Sequence, residues 1–188
     1  MTLKELQKIL TSIAPADREA MDRAKKRQAE LAKPPGSLGK LEDMSIRLAG
    51  ITGQVRNQLE SCRILVFAAD NGVIAEGVSS SPESVTLSQA VNMTRHITGM
   101  SALARYFGNS VVVADVGINA EVRCPAILNR KIRRSTRNLA KEPALTRQEV
   151  LDAMGVGLEL AGQAKEEGVQ AIGVGEMGIG NTTTSSAV

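Results

Sequence analysis

The chain has 188 residues, 43% hydrophobic and 23% charged, ordinary globular usage that excludes a disordered or fibrous chain and leaves room for one well-buried domain. No apolar run approaches the ~20 residues of a membrane span, and the amino-terminal MTLKELQKIL lacks a signal peptide's apolar core, so a cytoplasmic protein with no membrane partner is expected. The net charge of +3 hides an asymmetry, because residues 121–147 hold eight Lys and Arg against two acidic residues.

Thr2 and Glu5 form a capping-box pattern ahead of Leu3, Leu6, Leu10 and Ile13, which predicts a short amphipathic helix. Pro15 and Asp17 open a second, highly charged helix to about Leu31, with a thin apolar stripe of Met21, Ala24 and Leu31. The segment Lys33-Pro34-Pro35-Gly36-Ser37-Leu38-Gly39 breaks it. Leu38, Leu41, Ser45, Leu48 and Ile51 then recur at helical spacing until Gly53, so three helices precede the first strand.

Ile64 to Ala69 is a continuous apolar run, as expected of a strand buried on both faces of a parallel sheet, and similar runs follow at Val111 to Val116 and Ala171 to Gly175. Between them lie helical patterns from Val85 to about Phe107, interrupted near Gly99, and from Thr146 to Glu167, with Thr146 and Glu149 as a second capping box. Strands alternating with helices predict an α/β fold, an open parallel Rossmann-like sheet with helices on both faces. The predicted division is 1–60, amino-terminal helices of a small and incomplete helical domain, and 61–188, an α/β nucleotide-binding domain.

Ligands of such sheets bind outside the carboxyl ends of the strands. Those ends read Asp70-Asn71-Gly72, Asp115-Val116-Gly117-Ile118-Asn119 and Gly175-Glu176-Met177-Gly178-Ile179-Gly180-Asn181-Thr182, each with an acid near a glycine. Three converging carboxylates would bind ribose hydroxyls, orient a base or hold a metal, whereas an isolated acid there is a cap or turn former. In the last loop, Gly178 and Gly180 allow close backbone approach and the Asn-Thr-Thr-Thr run supplies donors, which suits a phosphate or carboxylate as well as a structural turn. Neither a P-loop lysine nor the dinucleotide glycine spacing is present.

Other positions carry less. His96, the sole histidine, lies in a helical pattern without triad partners and reads as a surface or packing residue. Cys62 and Cys124 read as plain thiols rather than a disulfide or metal pair. The basic stretch reads as a solvated loop, a small-anion site or a subunit contact. With Phe67, Tyr106 and Phe107 as the only aromatics it lacks a base-stacking platform, so no nucleic-acid partner is expected.

Five blocks in order carry a resemblance: KPPGSLGKLE (33–42), FAADNGVIAEGVSSSPESVTLSQ (67–89), DVGIN (115–119), KIRRSTRNLAKEPALT (131–146) and GEMGIGNTT (175–183). They closely resemble the nicotinate-nucleotide:dimethylbenzimidazole phosphoribosyltransferases, from about residue 31 to the last residue. The resemblance implies transfer of the phosphoribosyl group of nicotinate mononucleotide to 5,6-dimethylbenzimidazole or a related base. Nicotinate and α-ribazole 5′-phosphate, for the lower nucleotide loop of cobalamin, would be the products. It implies a homodimer using neither cofactor nor metal.

By the same resemblance Ser80 and Gln89 lie near the benzimidazole, Glu176 near the base and ribose, and Gly178, Gly180, Asn181 and Thr182 around the nucleotide, with Met177 also among the substrate-binding residues. The family's general-base glutamate matches nothing here and is expected beyond Val188, in a carboxyl-terminal part that this chain lacks. The catalytic residue is therefore unassigned, and the alternative is an inactive nucleotide-binding fragment or subunit. Two positions depart from the family: Asn71 stands where it often has His, and Ser135 where it often has Gly.

Overall fold

A computed structural model describes residues 1–188. The chain divides into two compact units, Gln7–Leu59 and Met1–Leu6 with Glu60–Val188.

Helix α1 (Leu3–Thr11) opens the chain. Its capping box forms, with the Thr2 N–H donating to Glu5 Oε2 at 2.7 Å and the Glu5 N–H to Thr2 Oγ1 at 3.2 Å. It stops before Ile13, which the periodicity includes and which stands exposed. In the first unit α2 (Arg18–Glu30) starts at Asp17, whose side chain accepts from the Ala20 N–H, and α3 (Lys40–Thr52) ends at Gly53. The helices pair through small residues, with Ala20, Ala24 and Ala49 buried. Lys33 and Glu42 form a 2.7 Å ion pair across the turn between them.

The second unit is an α/β fold around a four-stranded parallel sheet, β1 (Cys62–Ala69), β2 (Ser110–Gly117), β3 (Ile127–Asn129) and β4 (Ala171–Met177), in the order β3-β2-β1-β4. Helices α4 (Val85–Thr94) and α5 (Gly99–Tyr106) lie between β1 and β2 in sequence, α6 (Arg147–Glu166) between β3 and β4, and α7 (Asn181–Ala187) follows β4. Side chains alternate along β1, so its two faces build separate cores. Val66 and Ala68 pack with Val113, Ile118, Ile127 and Ala90 of α4. Leu65 packs with Ala114 and with Val156 and Leu160 of α6. Each fully buried Val, Leu or Ile side chain contributes about 1.5–3 kcal/mol, so the two layers are the main source of the unit's stability.

Four expectations need correction. The sheet has a fourth strand, β3, only three residues long and set within the basic stretch. The third apolar run is not buried on both faces: β4 pairs only with β1, and Val174 is 77% exposed because nothing covers its face at this sheet edge. It also runs on through Glu176 and Met177, which the sequence assigned to the loop. Finally, His96 lies in the break between α4 and α5, in the left-handed region at φ 59°, rather than within a helix.

Much of the basic stretch is paired with carboxylates from other elements, while Arg123, Arg134 and Arg147 stay exposed. Arg130 pairs with Glu159 at 2.7 Å, Lys131 with Asp115 at 3.1 Å, Lys141 with Glu76 at 3.2 Å, and Arg137 and Arg133 with Glu149 at 2.8 and 3.8 Å. Ser135 keeps a left-handed backbone, φ 55°, without glycine, and its N–H donates to the Gly117 carbonyl at 2.9 Å. The predicted capping box of α6 forms as well, between Thr146 and Glu149.

Hydrogen bonds from Arg137 and from the Thr146 N–H hold the Glu149 carboxyl down from its ordinary 4.5 to about 2. A depressed carboxyl contributes stability above its unfolded-state pKa and loses it as pH falls toward the folded value. Urea titrations of Glu149→Gln should therefore differ most from the unaltered chain at neutral pH. The gap should close as pH falls from 4.5 to about 2.

No helix is long and apolar enough to cross a membrane.

Candidate functional site

Parallel pairing brings the carboxyl ends of β1, β2 and β4 to one edge of the sheet. The acids that the sequence grouped there have separate fates. Asp115 is buried and structural: Oδ1 accepts from the Gly117 and Ile118 N–H groups at 3.1 and 2.8 Å, and Oδ2 faces Lys131 Nζ. Two bonds to the following turn are the work of a turn former, so Asp115 serves the fold rather than a ligand.

Asp70 is also buried, and its Oδ2 accepts from the Asn119 N–H at 2.7 Å. Burial pushes its carboxyl upward, opposed by the Asn119 N–H and the neighbouring Thr86 hydroxyl and reinforced by Glu83. Its Oδ1 has no hydrogen-bonding partner of good geometry, so the Thr86 effect is that of a nearby dipole. Asp70, Glu83, Ser84, Leu87, Ile118, Asn119 and Ala120 line an open cavity of about 180 Å³ on the β2 side of α4.

Glu176 alone of the three acids is exposed at the edge. Asn181 Nδ2 lies 2.7 and 2.8 Å from its two oxygens, so the residue before the glycines and the residue after them form one polar unit. Each carboxylate oxygen keeps acceptor capacity for an incoming hydroxyl. Met177 turns to the opposite face of the strand and packs on the Val66 core.

Between Glu176 and Asn181 the chain folds tightly against β1. A Cβ at Gly178 would lie 2.0 Å from the Ala69 carbonyl oxygen and 2.8 Å from Asn71 Nδ2, so only glycine fits. Gly180, at φ 85°, then reverses the chain into α7. The Asn181 N–H donates to the Gly178 carbonyl at 3.1 Å, closing the turn. Thr182, the next residue, is exposed.

Ser80 stands exposed in the segment before α4, and Gln89 is half-buried on α4 itself. Val78, two residues before Ser80, would be within 3.8 Å of a Cβ at Gly180, which brings that segment beside the glycine loop. Gln89 lies one helical turn beyond Thr86, and the Thr86 hydroxyl oxygen accepts from the Ile179 N–H at 3.0 Å. Around the loop the structure thus gathers Glu176, Gly178, Gly180, Asn181 and Thr182, with the Ser80 segment and the Gln89 helix alongside, while Met177 serves the core.

Sequence reasoning missed Thr86, and gave Asn71 no role beyond its place in a strand-end segment and its departure from a family pattern. Asn71 Nδ2 donates to the Ile179 carbonyl at 3.1 Å, and its Oδ1 accepts from Thr184 Oγ1 at 3.2 Å. These partners lie about a hundred residues apart in sequence, beyond any spacing rule; the one local sign was a threonine in the first turn of α4 among apolar neighbours.

A phosphoribosyltransferase family model matches residues 13–188. The nicotinate-nucleotide–dimethylbenzimidazole phosphoribosyltransferase of Ruminiclostridium cellulolyticum is 47% identical over 188 residues, covering all of this chain and 53% of that protein. The enzyme of the same name from Clostridium perfringens strain 13 is 46% identical over 183 residues, covering 97% of this chain and 51% of its own. Among solved structures, a crystal structure of this phosphoribosyltransferase from Thermus thermophilus superimposes with a TM-score of 0.85 at 41% identity, over 91% of this chain and 52% of that one. The chain spans about half the length of the curated relatives it matches.

Proposed function

We propose that this chain, which belongs to the phosphoribosyltransferase family matched over residues 13–188, binds nicotinate mononucleotide at the β4 loop and serves its phosphoribosyl transfer to 5,6-dimethylbenzimidazole. The observation that carries the reading is the Glu176–Asn181 unit bracketing a glycine turn that is packed too closely on β1 for any side chain. The relatives' names supply the substrates.

The chemistry suits such a site. The leaving nicotinate of the mononucleotide carries positive charge on its ring nitrogen at the anomeric carbon, so departure needs little acid assistance. What remains is to align the two rings and to let the incoming benzimidazole give up its N–H proton, to a base or to water, as its other nitrogen bonds the anomeric carbon. Glu176 would accept from the ribose hydroxyls, the backbone around Gly178 and Gly180 with Asn181 and Thr182 would hold the nucleotide, and Ser80 and Gln89 would face the incoming base. Residues 61–188 act as the nucleotide-binding domain in this reading, and residues 1–60 as part of a small helical domain.

The same reading makes the protein a cytoplasmic homodimer. Val174 on β4 and the edge-to-face pair Tyr106 and Phe107 at the end of α5 are exposed apolar side chains that a second subunit would cover. Mass spectrometry of the chain incubated with nicotinate mononucleotide and dimethylbenzimidazole should show nicotinate and α-ribazole phosphate in equal amounts. Nicotinate with ribose phosphate in place of the ribazole would point to hydrolysis and against transfer.

A further inference from the structure

We propose that Thr86 and Asn71 are positioning residues for nucleotide binding, gripping the main chain of Ile179 on both sides so that the glycine loop is fixed before its ligand arrives. This rests on the reading of that loop as the nicotinate mononucleotide site.

Ile179 lies between Gly178 and Gly180, and glycine backbone loses more freedom on ordering than any other. A loop of this composition needs external restraint to hold one shape. Both main-chain polar groups of Ile179 receive it: the N–H donates to Thr86 Oγ1 at 3.0 Å and the carbonyl accepts from Asn71 Nδ2 at 3.1 Å. The two grips come from separate parts of the fold, α4 and the turn after β1, and both side chains are buried.

Each grip is itself anchored. Thr86 is fully buried in the first turn of α4, so packing fixes its hydroxyl where the Ile179 N–H meets it. Asn71 Oδ1 accepts from Thr184 Oγ1 at 3.2 Å, tying the grip to α7 beyond the loop. One connected set of bonds therefore runs from Thr86 through the main chain of Ile179 and the Asn71 side chain to Thr184. A loop ordered in advance spares the ligand the free energy of ordering it, so loss of either grip should appear as lost affinity.

Three variants separate this from ordinary core packing. Thr86→Val keeps the shape and removes the acceptor, Thr86→Ser restores it, and Asn71→Asp keeps acceptance from Thr184 while removing donation to Ile179. The readouts are the calorimetric dissociation constant for nicotinate mononucleotide and the exchange rate of the Ile179 amide, taken where denaturant titration shows each variant folded. We expect Thr86→Val and Asn71→Asp each to weaken binding about tenfold, the scale of one unsatisfied buried polar group. Ile179 exchange should quicken in Thr86→Val, and Thr86→Ser should recover both readouts. Unchanged affinity in Thr86→Val and Asn71→Asp would overturn the positioning role while leaving the binding site in place. If Thr86→Val does not fold, Asn71→Asp alone decides. If the unaltered chain binds no nicotinate mononucleotide, the reading of the loop falls and this inference with it.

Discussion

Lys131→Met should destabilise the α/β unit by about 3–5 kcal/mol, the cost of leaving one member of a buried ion pair without its partner. Asp115 is 1% exposed, and Lys131 Nζ is its only counter-charge, at 3.1 Å. The same ammonium donates to the carbonyls of Ile118 and Ala120. Methionine fills much of the space but satisfies none of these three oxygens, and water does not readily reach the carboxylate. Asp115→Asn in the Lys131→Met background should recover a good part of the loss, since the amide oxygen still accepts from Gly117 and Ile118 and no buried charge remains. Urea denaturation of the single and double variants measures both effects. A loss below about 1 kcal/mol in Lys131→Met, typical of an exposed pair, would mean that solvent screens this one.

Gly178→Ala should cost roughly a hundredfold in turnover, the scale expected when reacting groups are misplaced by about 1 Å. The added Cβ would stand 2.0 Å from a main-chain oxygen of β1, which has no rotamer to adopt and is fixed by the pairing of β1 on both sides. The loop must move instead, carrying Asn181 away from Glu176 and Ile179 away from its grips. The accompanying loss of stability should be about 1–3 kcal/mol, as for other overpacked sites. Gly173→Ala is the control: its Cβ would meet Ile64 Cγ1 at 3.6 Å, an ordinary contact, and activity should persist. Equal activity in the two variants would show that the glycine turn can be displaced without consequence.

The sheet was legible because apolar runs of about five or six residues between helical patterns leave few alternatives. Ile127–Asn129 was not, because three residues in a basic stretch carry no periodicity. Nor could the apolar run of β4 reveal that one of its faces is uncovered: burial depends on what packs against a strand, not on its own composition. The glycine loop announced itself through Gly178, Gly180 and Asn181. The acids beside the strands misled, since Asp115, serving a turn and a lysine, reads in sequence like Glu176, which stands exposed beside the glycine loop. Thr86 and Asn71 stayed hidden because their partners come from distant parts of the chain, joined only by the fold.

The ion pairs of residues 130–141 show why charge counting alone misjudged that stretch. The five cations Arg130, Lys131, Arg133, Arg137 and Lys141 meet carboxylates on Glu159, Asp115, Glu149 and Glu76, all from outside the stretch. A local surplus of charge is thus largely answered within the α/β unit. Sequence windows see one side of such pairs and read a basic patch.

The most direct test is a titration of the isotope-labelled chain with nicotinate mononucleotide, following backbone amide resonances. The account predicts saturable shifts concentrated at Gly178, Ile179, Gly180, Asn181 and Thr182, with smaller ones near Ser80 and Gln89. Shifts confined to residues 121–147, or none at saturating nucleotide, would contradict it.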